Sequence, residues 1–359
     1  MRFPRRLRHV LLLLVFEIGK SVEIQAAAPP SAQPHSTGSY PDIPHNFEPS
    51  SGDRGQAPLF NGRSIRVSPS PLVPGRASLL TYGPIEGFIS GGVSIGERSF
   101  PLMAHPKGSL AWGIIGLDVE AEPGAVTLSL HIETSKGPPI EDRQELVIAG
   151  KSFKVDRLDL PQKMVEPPSE VQERIEQETA LLEEIQSRTT PRRFIVGFVK
   201  PAPGSVSSSF GRRRILNGIP KSPHSGTDVR GPTGQRVLAS NTGVVAFVGD
   251  LYFSGTTVVI DHGAGIFSHY AHLSRTLVKT GQAVFRREAI GEIGMTGRAT
   301  GPHLHWAFTV RGARVDSMDF LRMPLESWVS DLTRDSDQFN EPTGTNVTPD
   351  GALSEWNPR

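Results

Sequence analysis

Glycine and proline interrupt this chain at short intervals, with 37 glycines and 31 prolines among 359 residues. Both residues disfavour helix interiors and mark turns, so their density limits the chain to short elements. Between them, runs such as Val126–Ile132 and Glu145–Ile148 alternate apolar and polar side chains. This period of two is typical of half-buried strands. The sequence therefore predicts a mainly β protein rather than a helical bundle.

Length and composition narrow the possible classes of protein. A chain of 359 residues is too long for one compact core, which predicts two domains joined by linkers. The absence of cysteine excludes a thiol nucleophile, a disulfide framework, cysteine-bound metal and a lipid anchor on an N-terminal cysteine. A net charge of +1 gives no field that would favour nucleic acid as a partner. A metal site would have to use His, Asp or Glu.

The first 28 residues have the pattern of a signal peptide, although charged residues after the apolar run leave the cleavage site open. Four arginines between Arg2 and Arg8 precede the apolar run Val10–Phe16, and small residues follow at 26–28. The apolar run is shorter than the ~20 residues that span a bilayer. We expect export to the periplasm, with retention at the inner membrane by an uncleaved N-terminus as the alternative.

Changes in composition divide the remainder of the chain. A helix is expected around 169–188, because Ser169 and Gln172 have capping-box spacing and apolar residues from Val171 to Ile185 fall on one face. The expected parts are a flexible linker at 29–60, an immunoglobulin-like β-sandwich accessory domain at 61–160, a connecting helix at 165–190, a second β-rich domain at 194–325, and a disordered tail at 326–359.

Histidines cluster in the second β-rich domain. His224 and Asp228 form an H-x-x-x-D pair, His303 and His305 form H-x-H, and His272 lies between these motifs. Zinc favours imidazole nitrogen and carboxylate oxygen, and a catalytic zinc keeps three protein ligands and one open position. Both histidines of H-x-H point to one face of a strand. One of them can therefore bind metal while the other lies beside a metal-bound water.

The segment Ile266–Leu273 predicts a strand that carries two further histidines. In a regular strand, Tyr270 and His272 share one face, while His269 and Ala271 share the other. On this interpretation His272 and His269 cannot both line the same cleft.

The motifs in this region resemble those of the LytM/lysostaphin-type zinc peptidoglycan endopeptidases. The resemblance covers about 198–325 and includes Ser208–Arg213, His224–Asp228, Ala239–Val245, Val258–Gly263, Tyr270–Ser274 and Thr296–Trp306. It implies the duplicated hybrid motif fold, an antiparallel sheet with long loops along a groove, one of which holds Tyr252 and Phe253.

The same resemblance implies the residues of the site. They are Zn²⁺ ligands at His224, Asp228 and His305, with His272 and His303 as the catalytic pair. In the usual proposal for the family, His303 takes the water proton or orients the water, and His272 stabilises the oxyanion. The sequence itself does not assign these two roles.

The implied function is hydrolysis of peptide cross-links in bacterial peptidoglycan, with peptide stems as substrate and cell-envelope proteins as regulators. One alternative is an inactive LytM-like domain that binds and activates a cell-wall amidase. Such domains typically lose zinc ligands, whereas all five expected positions are occupied here. A biotinyl or lipoyl carrier is another, because 278–294 resembles a half-barrel hairpin. That segment lacks the D-K-A or M-K-M triplet of a carrier lysine.

The helix raises a separate question, because it is rich in glutamate. A carboxylate can occupy the open position of a zinc ion, so the helix and the β-domain before it could cover the groove. The alternative is that they only position the enzyme near its substrate. The acidic residues are Glu170, Glu173, Glu176, Glu178, Glu183 and Glu184.

Overall fold

The computed structural model describes residues 63–105, 108–159, 166–194, 197–323 and 325. They all belong to one compact unit that spans Gln56–Arg359. The predicted signal peptide, linker and tail lie outside the described residues. Within the described residues, no helix is both long enough and apolar enough to cross a membrane.

The protein is mainly β, as the sequence predicts. Among the described residues, α1 (Gln172–Ser187) and α2 (Ser317–Leu321) are α-helices, and a 3₁₀ turn covers Ser169–Val171. The strands are β1 (Ser64–Ser68), β2 (Ala77–Gly83), β3 (Phe88–Ile95), β4 (Arg98–Pro101), β5 (Met103–Ala104), β6 (Ala111–Gly116), β7 (Gly124–Thr134), β8 (Ile140–Ile148), β9 (Val155–Leu158), β10 (Val206–Ser208), β11 (Arg213–Leu216), β12 (Ile219–Lys221), β13 (Thr227–Arg230), β14 (Arg236–Leu238), β15 (Gly243–Leu251), β16 (Gly255–Gly263), β17 (Ile266–Ala271), β18 (Leu273–Thr276), β19 (Ala283–Val284), β20 (Ala289–Ile293), β21 (His303–Val310) and β22 (Ala313–Val315).

Two four-stranded sheets form the N-terminal part. Their strand orders are β1-β2-β6-β5 and β4-β3-β7-β8, and all pairs are antiparallel. Apolar side chains of both sheets are buried, with Trp112 and Phe100 among the largest. The immunoglobulin-like topology of this part stays a prediction.

One large antiparallel sheet organises the C-terminal part. Its order is β10-β13-β21-β17-β16-β15-β19, and β22 pairs with β21. A separate three-stranded sheet has the order β14-β20-β18. In another three-stranded sheet, β11 pairs with β12 and, in parallel orientation, with β9. Strands β13, β21 and β17 lie next to one another near the middle of the large sheet. They carry most of the histidine motifs.

The N-terminal and C-terminal parts share one hydrophobic core. Buried residues of β2, β6, β16 and β21 belong to the same cluster. Arg314 also joins the two parts through Asp118, which accepts hydrogen bonds from its backbone N–H (2.9 Å), Nε (3.0 Å) and Nη2 (2.6 Å). The two parts are therefore held by apolar packing and by a multiply bonded ion pair.

Helix α1 forms where a helix was expected, but the predicted capping box is wrong. Helical geometry begins with the 3₁₀ turn at Ser169, so Pro168 takes the N-cap position of that turn, and neither helix start has a side-chain cap. The predicted apolar face is confirmed, since Ile185 is buried and Leu182 packs beside it against Val259 and Phe267.

Candidate metal centre and its histidine pair

Two neighbouring strands bring the H-x-x-x-D and H-x-H motifs together. On β13, Asp228 lies directly opposite His305 of β21, and Arg230 lies opposite His303. Cross-strand partners have their side chains on the same face of a sheet. The alternation of β21 therefore places His303 and His305 on the face that carries Asp228, as H-x-H spacing predicts.

A glycine lets His224 approach this strand pair. His224 precedes β13, and the turn between His224 and Asp228 passes close to β21. A Cβ atom at Gly226 would lie 2.8 Å from Cε1 of His305 and 2.7 Å from the carbonyl oxygen of Trp306. Only a residue without a side chain fits there, so the glycine of the HSGTD motif is required by packing.

Three possible ligand atoms converge at this point. Nε2 of His224 lies 3.0 Å from Oδ1 of Asp228 and 3.1 Å from Nδ1 of His305, and the last two atoms are 2.9 Å apart. All three side chains are largely buried, with at most 16% of the side-chain surface exposed. Tetrahedral zinc bonds of about 2.0–2.1 Å place ligand atoms about 3.3–3.4 Å apart. The observed triangle is within a few tenths of an ångström of that size.

The hydrogen bonds around His224 fix its tautomer. Nδ1 faces the carbonyl oxygen of Ser209 at 3.0 Å, and because a carbonyl can only accept, Nδ1 carries the proton. Nε2 of neutral His224 then presents a lone pair toward Nδ1 of His305. Two nitrogen lone pairs and a carboxylate oxygen repel one another unless a cation lies between them. The group formed by His224, Asp228 and His305 could thus hold a metal ion.

Burial and the close contacts at this centre shift the pKa values of Asp228 and His305. Burial tends to raise the pKa of Asp228, but a proton on the facing nitrogen of His224 or His305 would be donated to this carboxylate, and such hydrogen bonds outweigh burial and hold the pKa of Asp228 far below its usual range. Burial lowers the pKa of His305. An ionised carboxylate beside neutral imidazole is the protonation state that metal binding requires.

His272 and His303 lie beside this group. Their ring centroids are 4.8 Å apart, and Nε2 of His303 is 3.8 Å from Oδ1 of Asp228. Nδ1 of each ring donates to a backbone carbonyl at 2.8 Å, which belongs to Thr296 for His272 and to Gly301 for His303. Nε2 is then the proton-accepting nitrogen in each neutral ring. Burial lowers the pKa of His272 to about 4, so this ring is neutral at neutral pH.

The predicted strand register around His272 is wrong. Strand β17 ends at Ala271, which lies opposite His305, and His269 lies opposite Ala307. His269 is therefore on the face of the metal centre, while Tyr270 points into the core and is fully buried.

His272 reaches the centre because the chain turns after β17. Its φ of +61° is in the left-handed region, which costs a non-glycine residue on the order of 1–2 kcal/mol. Such conformations concentrate at functional sites. Nε2 of His269 is buried and has no hydrogen-bond partner among the described residues.

Aromatic residues form the loop that the sequence predicts beside the groove. Tyr252 and Phe253 pack edge to face with ring centroids 5.0 Å apart. The guanidinium of Arg298 lies 4.4 Å from the centre of the Phe253 ring. Both aromatic rings are partly exposed, so they can contact another molecule. The cation–π contact ties this loop to the segment before the H-x-H motif.

Several functional contacts have no signal in the sequence. The carbonyls of Ser209, Thr296 and Gly301 select the tautomers of His224, His272 and His303. A backbone carbonyl is present at every position, so the side-chain pattern cannot reveal these partners.

Comparison with known proteins identifies the class to which this site belongs. Residues 222–317 match the model of Peptidase family M23. The match thus identifies a Peptidase family M23 domain at residues 222–317 of this chain, and this domain contains the His/Asp centre. This finding confirms the resemblance drawn from the motifs.

Individual relatives carry more specific names. The peptidoglycan DD-endopeptidase ShyA of Vibrio cholerae is 46% identical over 126 residues, which cover 34% of this chain and 29% of that protein. The DD-carboxypeptidase/endopeptidase Mpg of Neisseria meningitidis is 42% identical over 111 residues, or 31% of this chain and 26% of that protein. The chain thus covers less than a third of each of these relatives.

A solved structure covers more of the chain. The crystal structure of a putative M23 peptidase from Pseudomonas aeruginosa has 29% sequence identity and a TM-score of 0.55. It covers 70% of this chain and 96% of its own. The structural likeness therefore extends beyond residues 222–317 into the preceding part of the protein.

Proposed function

We propose that this protein is a zinc-dependent endopeptidase that hydrolyses peptide cross-links of bacterial peptidoglycan. The observation that carries the proposal is the convergence of His224, Asp228 and His305, whose possible ligand atoms lie 2.9–3.1 Å apart. The M23 domain and relatives named as peptidoglycan endopeptidases support the same activity. The centre suits amide hydrolysis and the partly exposed aromatic loop suits a peptide chain, so both support a peptide substrate.

The donor set favours zinc among the divalent metals. Two imidazole nitrogens and one carboxylate oxygen match known catalytic zinc sites, whereas calcium and magnesium prefer six or more oxygen ligands. Three protein ligands leave one coordination position open. Bound at this site, zinc would supply an acidified water and a Lewis acid for the scissile carbonyl.

The histidine pair supplies the proton transfers in this proposal. Both Nε2 atoms accept protons in the neutral rings, because both Nδ1 atoms donate to carbonyls. We assign the proton of the attacking water to His303, whose Nε2 lies 3.8 Å from Oδ1 of Asp228. His303 then returns that proton to the leaving amine.

His272 has a supporting role at the same water. The family's usual proposal makes it a donor to the oxyanion, but its low pKa and its tautomer favour an acceptor in the resting site. We therefore propose that His272 orients the water by accepting its second O–H. Its role can pass to oxyanion donor only after it has gained a proton.

The proposed substrate and the N-terminal sequence together support a periplasmic location. Peptidoglycan lies outside the inner membrane, and the N-terminal segment has the signal-peptide pattern described above. We propose that the protein acts in the periplasm on peptide stems. Cell-envelope proteins would be its regulators.

The experiment combines metal analysis with digestion of purified cross-linked muropeptides. We expect about one zinc per chain and conversion of cross-linked dimers to monomers, with both lost after chelation and restored by zinc. His303→Ala should retain zinc and lose hydrolysis, whereas His131→Ala, at an exposed histidine outside the centre, should leave both unchanged. A zinc-loaded wild-type protein that cuts no cross-link but stimulates an amidase would favour the activator alternative.

A further inference from the structure

Helix α1 packs on the face of the large sheet formed by β15, β16 and β17, beside the aromatic loop. At its C-terminal end, Leu182 and Ile185 pack against Val259 and Phe267. At its N-terminal end, Arg174 donates from Nη2 to the backbone oxygen and to Oδ2 of Asp250, both at 3.1 Å. The helix thus contacts the strand that leads directly into the loop.

Glu178 extends this contact to the loop itself. Its Oε2 accepts a hydrogen bond from the backbone N–H of Tyr252 at 2.8 Å, while its Oε1 accepts from Nε of Arg174 at 2.6 Å. Only 18% of the Glu178 side chain is exposed. Hydrogen bonds to a carboxylate are shorter and stronger than neutral ones, and Arg174 holds this carboxylate in place. Both oxygens are occupied by contacts that lie outside the metal centre.

The loop, defined here as residues 252–255, connects Glu178 to the histidine pair. The carbonyl oxygen of Ser254 accepts the backbone N–H of His272 at 2.8 Å, and that of Phe253 accepts the N–H of Arg298 at 2.9 Å. The hydroxyl of Thr296 accepts the N–H of Thr256 at 2.9 Å. The same Thr296 provides the carbonyl that fixes the tautomer of His272.

The two backbones in this region are closely packed. A Cβ atom on Gly255 would lie 2.4 Å from the carbonyl carbon of Thr296, and one on Gly297 would lie 2.3 Å from the amide nitrogen of Gly255. Glycine at both positions is required for this approach. Movement of the loop would therefore displace the segment that contains Thr296. His272 would lose both of its backbone contacts together.

We propose that Glu178 is a positioning residue that connects the acidic helix to His272 through loop 252–255. His272 has a strained left-handed backbone, which persists only while its surroundings hold it. The carboxylate of Glu178 fixes the start of the loop, and Ser254 near its end fixes His272. The helix is thereby part of the support of the groove. Its effect on hydrolysis rests on the proposed function, whereas the loop contact does not.

The first test measures the loop without reference to activity. In the full chain, Glu178→Leu removes the acceptor at nearly the same side-chain size, and Glu178→Gln keeps one acceptor oxygen. Glu173→Leu is the matched control, because Glu173 bonds only Gln177 on the same helix among its described contacts. We expect amide hydrogen exchange at Tyr252 and His272 to be about tenfold faster in Glu178→Leu. Glu178→Gln and Glu173→Leu should remain close to wild type.

The second test measures function in the same variants. Glu178→Leu should keep full zinc content, since the ligands lie on or before β13 and on β21, yet kcat should fall about tenfold with a smaller rise in KM. Glu178→Gln should restore most of this loss, and a merely structural role would show no such rescue. Should Glu178→Leu fail to fold, Arg174→Leu should show the same changes to a smaller degree.

Each outcome decides the proposal. Unchanged exchange at Tyr252 and His272 in a folded Glu178→Leu protein would overturn it, as would equal effects of Glu173→Leu. Faster exchange with unchanged kcat would overturn the link to His272. A wild-type protein without any hydrolysis, but with the expected exchange pattern, would refute the proposed function and leave the loop contact in place.

Discussion

We expect the stability of the protein to fall in acid because of the buried residue His262. The ring is completely buried, and its Nδ1 donates to the carbonyl oxygen of Thr242 at 2.9 Å. Nε2 must then accept the hydroxyl proton of Ser268 at 2.7 Å, which leaves Tyr270 to donate to Ser268 at 2.9 Å. The hydroxyl oxygen of Tyr270 accepts the N–H of Ser240 at 2.8 Å. This network is satisfied only when His262 is neutral.

The size of the effect follows from the pKa. Burial lowers the pKa of His262 to about 4 from 6.5, against the opposing influence of the Thr242 carbonyl. Because the folded pKa is the lower one, the unfolded chain binds more protons between these two values. Stability therefore falls as the pH drops through that window. One pKa unit corresponds to about 1.4 kcal/mol, so His262 should cost about 2–3 kcal/mol between pH 7 and pH 4.5.

Urea unfolding of the wild type and of His262→Gln at both pH values measures this quantity. Other groups titrate in the same range, and metal binding weakens in acid, so the prediction concerns the difference between the two proteins. The variant should lose about 2–3 kcal/mol less than the wild type over this interval. If His262→Gln does not fold, the ring resonances of His262 in the wild type should show no titration near pH 6.5. Equal losses, or a midpoint near 6.5, would refute the assignment of a neutral buried ring.

Three further substitutions test a proposed zinc ligand, the proposed proton transfer and the ion pair between Asp118 and Arg314. His305→Ala should lose at least about 90% of bound zinc in metal analysis, and full occupancy would show that His305 is not a ligand. His303→Ala should retain zinc while its rate falls by about two to four orders of magnitude, and a near-normal rate would remove it from proton transfer. Arg314→Met leaves the buried Asp118 without its guanidinium, which should lower the free energy of unfolding by about 2–4 kcal/mol. A change below about 0.5 kcal/mol in chemical denaturation would show that this ion pair contributes little.

The common face of His303 and His305 could be predicted from the period of a strand, whereas the ligand set of the candidate metal centre was implied only by the family resemblance. The H-x-H spacing places both side chains on one strand face, and Asp228 faces His305 across the ladder. His272 could not be placed in this way, because its position depends on where β17 ends and on a left-handed φ. The predicted register instead excluded His269 from the face on which it lies.

For helix α1, too, the local sequence pattern predicts only some of the structure. Its amphipathic face was predictable, since burial at Ile185 follows from a period of 3.6 residues. Its N-cap could not be predicted, because a 3₁₀ turn precedes the α-helix and includes Ser169, so Ser169 is not at the cap position. The contact of Glu178 with the Tyr252 backbone joins residues 74 positions apart, and no local spacing encodes it.

We propose that His224, Asp228 and His305 hold a catalytic zinc in an enzyme that cuts peptidoglycan cross-links. The most direct test of this claim is the digestion of one purified, peptide-cross-linked muropeptide dimer by zinc-loaded wild type and by Asp228→Ala, with fragments identified by mass spectrometry. We expect the wild type to convert the dimer to two monomers with the addition of one water. Asp228→Ala, which keeps both histidines but lacks the carboxylate, should bind little zinc and leave the dimer intact. Cleavage by a zinc-free Asp228→Ala protein, or an intact dimer with fully zinc-loaded wild type, would contradict the claim.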